Sequence, residues 1–311
     1  MHKIGRKTAP CEHALRATLR ADVQGRSSVG SVASDGHSRV MPESAPSSIA
    51  PLLAADDPPP FEVVHPGGRA PLLIICDHAS RAVPRALGRL GLEEALLMRH
   101  IGWDIGAAEV TRRLAALLDA PAVLCGYSRL VIDCNRGLGD PTSIPEVSDG
   151  IAVPGNVGLT PAARVARVDG IFRPYHAAIA AELAAFAARG VVPVVLSVHS
   201  FTPVMNGFSR PWHVGVLWDK DPRVPVPLIA ELAAADPRRI VGDNEPYSER
   251  EAPAGYSIRT HAVPARLPHA GIEIRQDLID TPDGTVAWAD ALAAALKSIL
   301  ARPDLNRVER F

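Results

Sequence analysis

Two histidines stand where apolar runs give way to polar residues, and imidazole is the side chain most often used to hold a catalytic metal. PLLIIC runs into Asp77-His78, and VVPVVLSV runs into His199-Ser200. Open α/β sheets bind their ligands beyond the carboxyl ends of the strands, so both histidines are predicted to converge there despite lying far apart in the chain. Neutral imidazole suits zinc, and a catalytic zinc site needs two histidines, a carboxylate and an open position. The alternative is that each histidine is satisfied by backbone alone.

The strand-like segment Gly271-Ile-Glu-Ile-Arg275 adds a carboxylate. Period-2 alternation sets Glu273 and Arg275 on one face and Ile272 and Ile274 on the other. A carboxylate inside an apolar strand costs several kcal/mol unless it is paired or employed. Employed, it is a general base for a water polarised by a metal; otherwise it is half of an ion pair. A further polar run, Tyr127-Ser-Arg-Leu-Val-Ile-Asp-Cys-Asn-Arg136, alternates Arg129 and Asp133 with apolar residues and ends in Asn135-Arg136. The planar fork of arginine binds a carboxylate bidentately, so Arg129 and Arg136 are candidate holders of an anionic substrate. Asp133 is expected to pair with an arginine and pin the loop.

The elements that must position these groups alternate. Strands are predicted at Pro71–Cys76, Ala122–Leu124, Leu130–Ile132, Val191–Val198, Val214–Trp218, Ile240–Val241, Ser257–Ile258 and Gly271–Ile274. Helical spacing marks Ala107–Leu118, Ala162–Val168, a segment from Pro174 to Ala188, Pro227–Ala235 and Thr285–Leu300. Thr160-Pro161 reads as a helix cap followed by proline in the first turn, and Gly190 as a helix stop. Apolar strands alternating with helices predict a mostly parallel sheet covered on both faces. Residues 1–65, rich in Ser, Pro, Gly, Ala and Arg without apolar periodicity, are expected to form a disordered tail before a single α/β domain over 66–311.

Composition closes other routes. With 33 Lys+Arg against 34 Asp+Glu, the net charge of −1 offers no surplus for nucleic acid or an anionic membrane. No apolar run reaches the ~18 residues of a membrane span. The 4 cysteines form no C-x-x-C pair, which predicts a reduced, cytoplasmic protein with Cys76 and Cys134 as small core residues. Trp103, Trp212 and Trp218 are expected in the core. His176 either reaches the pocket or caps its helix. Gly242-Asp-Asn-Glu-Pro246 reads as a turn that either only closes the chain or touches substrate. No oligomeric state is legible.

Several motifs in order then resemble a known family. CDHASRAVP, HIGWDIGA, YSRLVIDCNR, SVHSF, GDNEPYS and the run from Tyr256 to Asp277 are similar to the N-formylglutamate amidohydrolase family across roughly residues 70–300. His199, Asn135-Arg136 and Glu273 also look like the zinc carboxypeptidases. The resemblance implies a three-layer α/β/α fold, phosphorylase/hydrolase-like (zinc exopeptidase-like), with a mostly parallel mixed sheet. It implies one Zn2+ ion, hydrolysis of the amide bond of a small anionic N-acyl amino acid, and release of formate or another acid. His78, Asp104 and His199 would hold the ion and Glu273 would act as base. Arg129 or Arg275 would steady the oxyanion, and Asn135, Arg136, His261, Arg266 and Arg275 would bind substrate. The carboxypeptidase pattern has a glutamate three residues after the first histidine, where this chain has Arg81; Asp104, whose alternative is to cap the helix from Ile105, is the first choice to replace it and Asp77 the second. The rival readings are a zinc carboxypeptidase or peptidoglycan-type amidase with a wider pocket, and a metal-free binding protein.

Overall fold

Leu72–Cys76 is buried at all five positions, as a strand covered on both faces must be. The computed structural model describes residues 51–250 and 255–311. In chain order these form β1 (Phe61–Val64), β2 (Leu72–Cys76), α1 (Ala107–Leu118), β3 (Ala122–Cys125), α2 (Pro161–Arg167) and α3 (Arg173–Ala188). β4 (Val194–Phe201), β5 (Val214–Leu217), α4 (Pro225–Ala235), β6 (Val241–Asp243), α5 (Tyr256–His261), β7 (His269–Arg275) and α6 (Pro282–Leu300) follow, beside a one-turn helix at Glu94–Leu97 and two short two-stranded hairpins. The strands make one seven-stranded sheet in the order β1-β3-β2-β4-β7-β5-β6. β3, β2, β4 and β7 run parallel, β1 and the β5–β6 pair run against them, and the sheet is therefore mixed but parallel at its centre.

Alternation along the central strands builds two cores. Leu72, Ile74, Val194, Leu196, Val198, Ile272 and Ile274 pack with Leu114, Leu228 and Leu292 of α1, α4 and α6. Leu73, Ile75 and Val195 pack on the other side with Ile171, Tyr175, Ile179 and Phe186 of the α2–α3 region. The result is the expected three-layer α/β/α arrangement. No helix of the described residues is long and apolar enough to cross a membrane.

Most expected elements form, with Thr160 Oγ1 accepting from Ala163 N at 3.2 Å as the predicted cap. Three expectations fail. Phe61–Val64 lies in the stretch expected as tail, yet pairs with β3 as an edge strand, because four strand-forming residues between prolines vanish in a composition average. The expected disorder of residues 1–50 lies outside the described residues. Leu130–Ile132 is a buried turn rather than a strand. Ser257–Ile258 belongs to helix α5, whose first amides donate to a side chain distant in sequence: Asn135 Oδ1 accepts from Tyr256 N at 2.7 Å and Ser257 N at 3.1 Å. Pro174, expected to start or kink a helix, follows a π-helical turn at Val168–Phe172 that joins α2 to α3.

Candidate active site

Asp77-His78 follows the last residue of β2, and His199 and Glu273 sit side by side as register partners on parallel strands β4 and β7. Their neighbours Val198, Ile272 and Ile274 fill the opposite core, which turns His199 and Glu273 toward the other face. Asp104 comes from the segment before α1. It does not cap that helix: Gly106 is the cap residue, at φ 79°, where a Cβ would lie 2.1 Å from the carbonyl oxygen of Ile279. Asp104 N donates to His78 O at 3.0 Å, and Ser200 N donates to Asp104 Oδ2 at 3.3 Å, so backbone from both strand ends fixes the carboxylate.

The two imidazoles are arranged alike. Asp104 Oδ2 lies 3.2 Å from His78 Nδ1 and 2.8 Å from His199 Nδ1. The outer nitrogens face other partners: His78 Nε2 is 2.8 Å from Asp133 Oδ1, and His199 Nε2 is 2.9 Å from Ser197 Oγ and 3.3 Å from Asp77 Oδ2. A carboxylate only accepts, so each imidazole as it stands lies between two acceptors; with a cation among the three groups, Asp133 and Asp77 would keep the proton on each Nε2 and each Nδ1 would turn its lone pair to the ion. Outer partners of this kind fix the tautomer and orientation of metal-ligating histidines. His78, Asp104 and His199 each offer a buried donor atom, all within 4.8 Å of one another, a set of two imidazoles and a carboxylate that can hold a divalent cation.

Charges in this buried site are strongly coupled. Burial opposes ionisation of Asp104, but the two imidazoles outweigh it and hold the carboxyl far below its usual range. Burial likewise opposes a proton on His199, while Asp104 and Asp77 push it well above the ordinary value. Asp77 is held at about 2 against its own burial by His199, His78 and Ser257, and it also accepts from Tyr175 OH at 3.0 Å. Asp77 therefore braces the back of the site instead of facing the Asp104 side. Glu273 behaves oppositely: burial raises it to about 7, and its Oε2 has no hydrogen-bond partner. Oε2 is thus a buried acceptor with no structural occupation.

His78, Asp104, His199, Glu273, Arg129, Asn135 and Arg136 all line one cavity of about 1200 Å³. Arg129 donates to Asp133 Oδ2 through Nε at 3.2 Å and Nη2 at 2.8 Å, and its Nη1 is 3.5 Å from Asp104. Asp133 is thus more than the expected arginine partner, since it holds His78 as well. Its place among polar residues of the run showed an arginine partner; nothing local showed the histidine.

Three expected substrate contacts lie off the cavity wall. Arg275 is spent on Asp277, at 2.8 Å and 3.2 Å, beyond the end of the site. Arg266 precedes β7, at the amino end of the strand whose carboxyl end carries the site, and its carbonyl accepts from Arg223 Nη2 at 3.3 Å. His261 pairs with His176 at 2.9 Å, and His176 donates to the carbonyl of Cys134 at 3.0 Å. That pair braces the Asp133–Arg136 segment from behind, and burial lowers His261 to about 4. Trp218, expected in the core, is half-buried on the cavity wall, while Cys76 and Cys134 are fully buried as expected.

The model of the N-formylglutamate amidohydrolase family matches residues 70–280. Among solved structures, a gene product from Agrobacterium tumefaciens is 34% identical, with a TM-score of 0.75 over 80% of this chain and 99% of that one. The N-formylglutamate amidohydrolase from Ralstonia eutropha JMP134 is 20% identical and shares the fold, with a TM-score of 0.59 over 78% of this chain and 97% of that one. No curated protein matches. The match covers every group on the cavity wall named above, and the chain belongs to the N-formylglutamate amidohydrolase family, a family of amide-bond hydrolases.

Proposed function

We propose that this chain is a zinc-dependent hydrolase of the amide bond of a small N-acyl amino acid of the N-formylglutamate kind. The observation that carries the reading is the juxtaposition of a buried His78–Asp104–His199 donor set with an unpartnered Glu273 carboxylate on the same cavity. The donor set fits a zinc ion chemically, because with a cation bound the outer carboxylates would keep the Nε2 protons and both Nδ1 lone pairs would be free to hold it. Zinc held there supplies a Lewis acid for the amide carbonyl and lowers the pKa of a water to about 7.

The protein's own groups do the rest. Glu273 takes a proton from the attacking water at Oε2 and delivers it to the departing amine nitrogen. Arg129, anchored through Nε and Nη2, has one Nη1 N–H on Asp104 at 3.5 Å and the other for the oxyanion that forms on the carbonyl. Arg136 holds the substrate carboxylate with the amide nitrogen of Asn135, whose oxygen is already committed to α5. With Arg275 paired to Asp277, the oxyanion role falls to Arg129 alone of the two arginines first considered. A cytoplasmic setting is part of the same reading, with Cys76, Cys125 and Cys134 as free thiols among the described residues.

The test joins a metal assay of the purified protein to a screen of N-formyl and N-acetyl amino acids for release of free amine. Bound zinc with release from an acidic N-acyl amino acid supports the reading; absence of metal together with no activation by divalent ions overturns it. One observation favours a second reading: about 1200 Å³ exceeds the ~300–1,000 Å³ of common small-ligand pockets. N-acylated peptides therefore belong in the same screen, and faster cleavage of them selects the wider-substrate amidase.

A further inference from the structure

The loop after β6 is held down with unusual care. Asn244 N donates to Val216 O at 3.0 Å, and Asn244 Oδ1 accepts from Trp218 N at 3.0 Å and Glu249 N at 3.4 Å. The loop crosses β5 at Gly215, where a Cβ would meet the carbonyl oxygen of Glu245 at 1.8 Å. Gly215 is the register partner of Glu273 on the antiparallel side of β7. Glycine is required there because the loop backbone rests directly on the strand beside the buried carboxylate. Two residues after Glu245, Tyr247 lines the cavity together with Glu273 and Arg129.

Tyr247 is held by a buried cation. Arg210 Nη1 donates to the Tyr247 oxygen at 3.1 Å, and the guanidinium lies over the Tyr247 ring at 5.0 Å. Its other contacts are Thr202 O and Oγ1, at 3.5 and 3.4 Å, and the Phe201 ring at 5.7 Å. Among the described residues Arg210 forms no ion pair with a carboxylate, although its residue is only 8% exposed. A guanidinium can only donate, so the phenol oxygen accepts from it and the phenol's own proton is left for another acceptor. Glu273 Oε2 is not that acceptor, because it has no partner. A positive charge on the oxygen side of the O–H bond also makes it a stronger donor.

We infer that Tyr247 is a catalytic hydrogen-bond donor to the oxyanion formed as the amide carbonyl is attacked, beside Arg129 on the same cavity wall, and that Arg210 is its positioning residue. This rests on the hydrolase reading above. No bond forms or breaks at Tyr247: the proton stays on the phenol while the charge builds and decays on the substrate oxygen.

The experiment uses the metal-loaded protein and the best N-acyl amino acid of the screen. Tyr247→Phe should lower kcat about 10²–10³-fold, the effect of removing one oxyanion donor. KM should stay within about twofold, since the interaction is made only in the transition state, and metal content and the acid limb of the pH profile should be unchanged. Arg210→Met should lower kcat about tenfold in the wild-type background and not at all in Tyr247→Phe, the coupling expected of a residue acting through another. A Tyr247→Phe variant with wild-type kcat, or with raised KM alone, overturns the donor role. An Arg210→Met effect of equal size in both backgrounds overturns the positioning role. If the wild type releases no amine from any N-acyl substrate, the hydrolase reading fails first and this inference falls with it.

Discussion

The two faces of β4 and β7 are made from alternate residues of the same two strands and do opposite work. Val198, Ile272 and Ile274 face α1, α4 and α6 in a sealed apolar layer, while Ser197, His199 and Glu273 face the cavity. On the sealed face, stability comes from area removed from water and from close packing. On the cavity face, burial of polar groups costs free energy, and it is offset for His78, His199 and the three aspartates by one another. Glu273, by contrast, keeps one buried oxygen, Oε2, with no hydrogen-bond partner, and its burial outweighs the neighbouring cations. The comparison teaches where to look for chemistry: at the buried polar group that its surroundings decline to satisfy.

Substitutions on the two faces should therefore fail in different measurements. Glu273→Gln, nearly isosteric, should lower kcat about 10²–10⁴-fold, the contribution of a general base, with bound metal retained. Near-full turnover with metal in place would remove Glu273 from the mechanism. One residue away, Ile272→Ala should destabilise the fold by about 2–5 kcal/mol in denaturant titrations, while the fraction that stays folded keeps its kcat. A fall in kcat without loss of stability would show that the faces are not independent. A smaller effect is expected at the outer partner of His78: Asp133→Asn should weaken metal affinity about 10–100-fold, read by competition with a chelator. Unchanged affinity would reduce Asp133 to the loop-pinning role first expected for it.

How much of this was legible depended on the distance over which each pattern acts. The central strands, α1 and the helix cap at Thr160 are written in local runs and spacings, and His78, His199 and Glu273 follow from asking what stands at the ends of those strands. Asp104 could be singled out, but whether it capped a helix or faced the histidines depended on Gly106 and on the register of β2 against β4. Arg275 misled because alternation gives the face of a strand and not how far along it the site extends; two residues beyond Glu273, its neighbour Asp277 takes the guanidinium. His261 and Arg266 misled because a polar loop looks the same whether it lines a cavity or braces one from behind. Asp133 on His78 and Asn135 on α5 were illegible for a common reason: each joins segments that only the sheet order brings together.

The smallest expected effect separates the faces without any substrate. Burial raises Glu273 from its usual 4.5 to about 7 in the folded chain, so the folded state binds this proton more tightly than the unfolded chain does. The stability this gives is fully present below about pH 4.5 and lost as pH rises through 7, where the ionised carboxylate must stay buried without a partner. Glu273→Gln removes that loss. The metal-free variant should thus melt a few degrees above the metal-free wild type at pH 8, at roughly 2–4 °C per kcal/mol for a domain of this size, with a smaller difference at pH 5. A cation in the site stabilises the ionised form, so metal loading should shrink or reverse the gain at pH 8. Equal melting temperatures for metal-free wild type and variant at pH 8 would show that the Glu273 carboxylate has found a partner, and with it the contrast between the two faces of β7 would go.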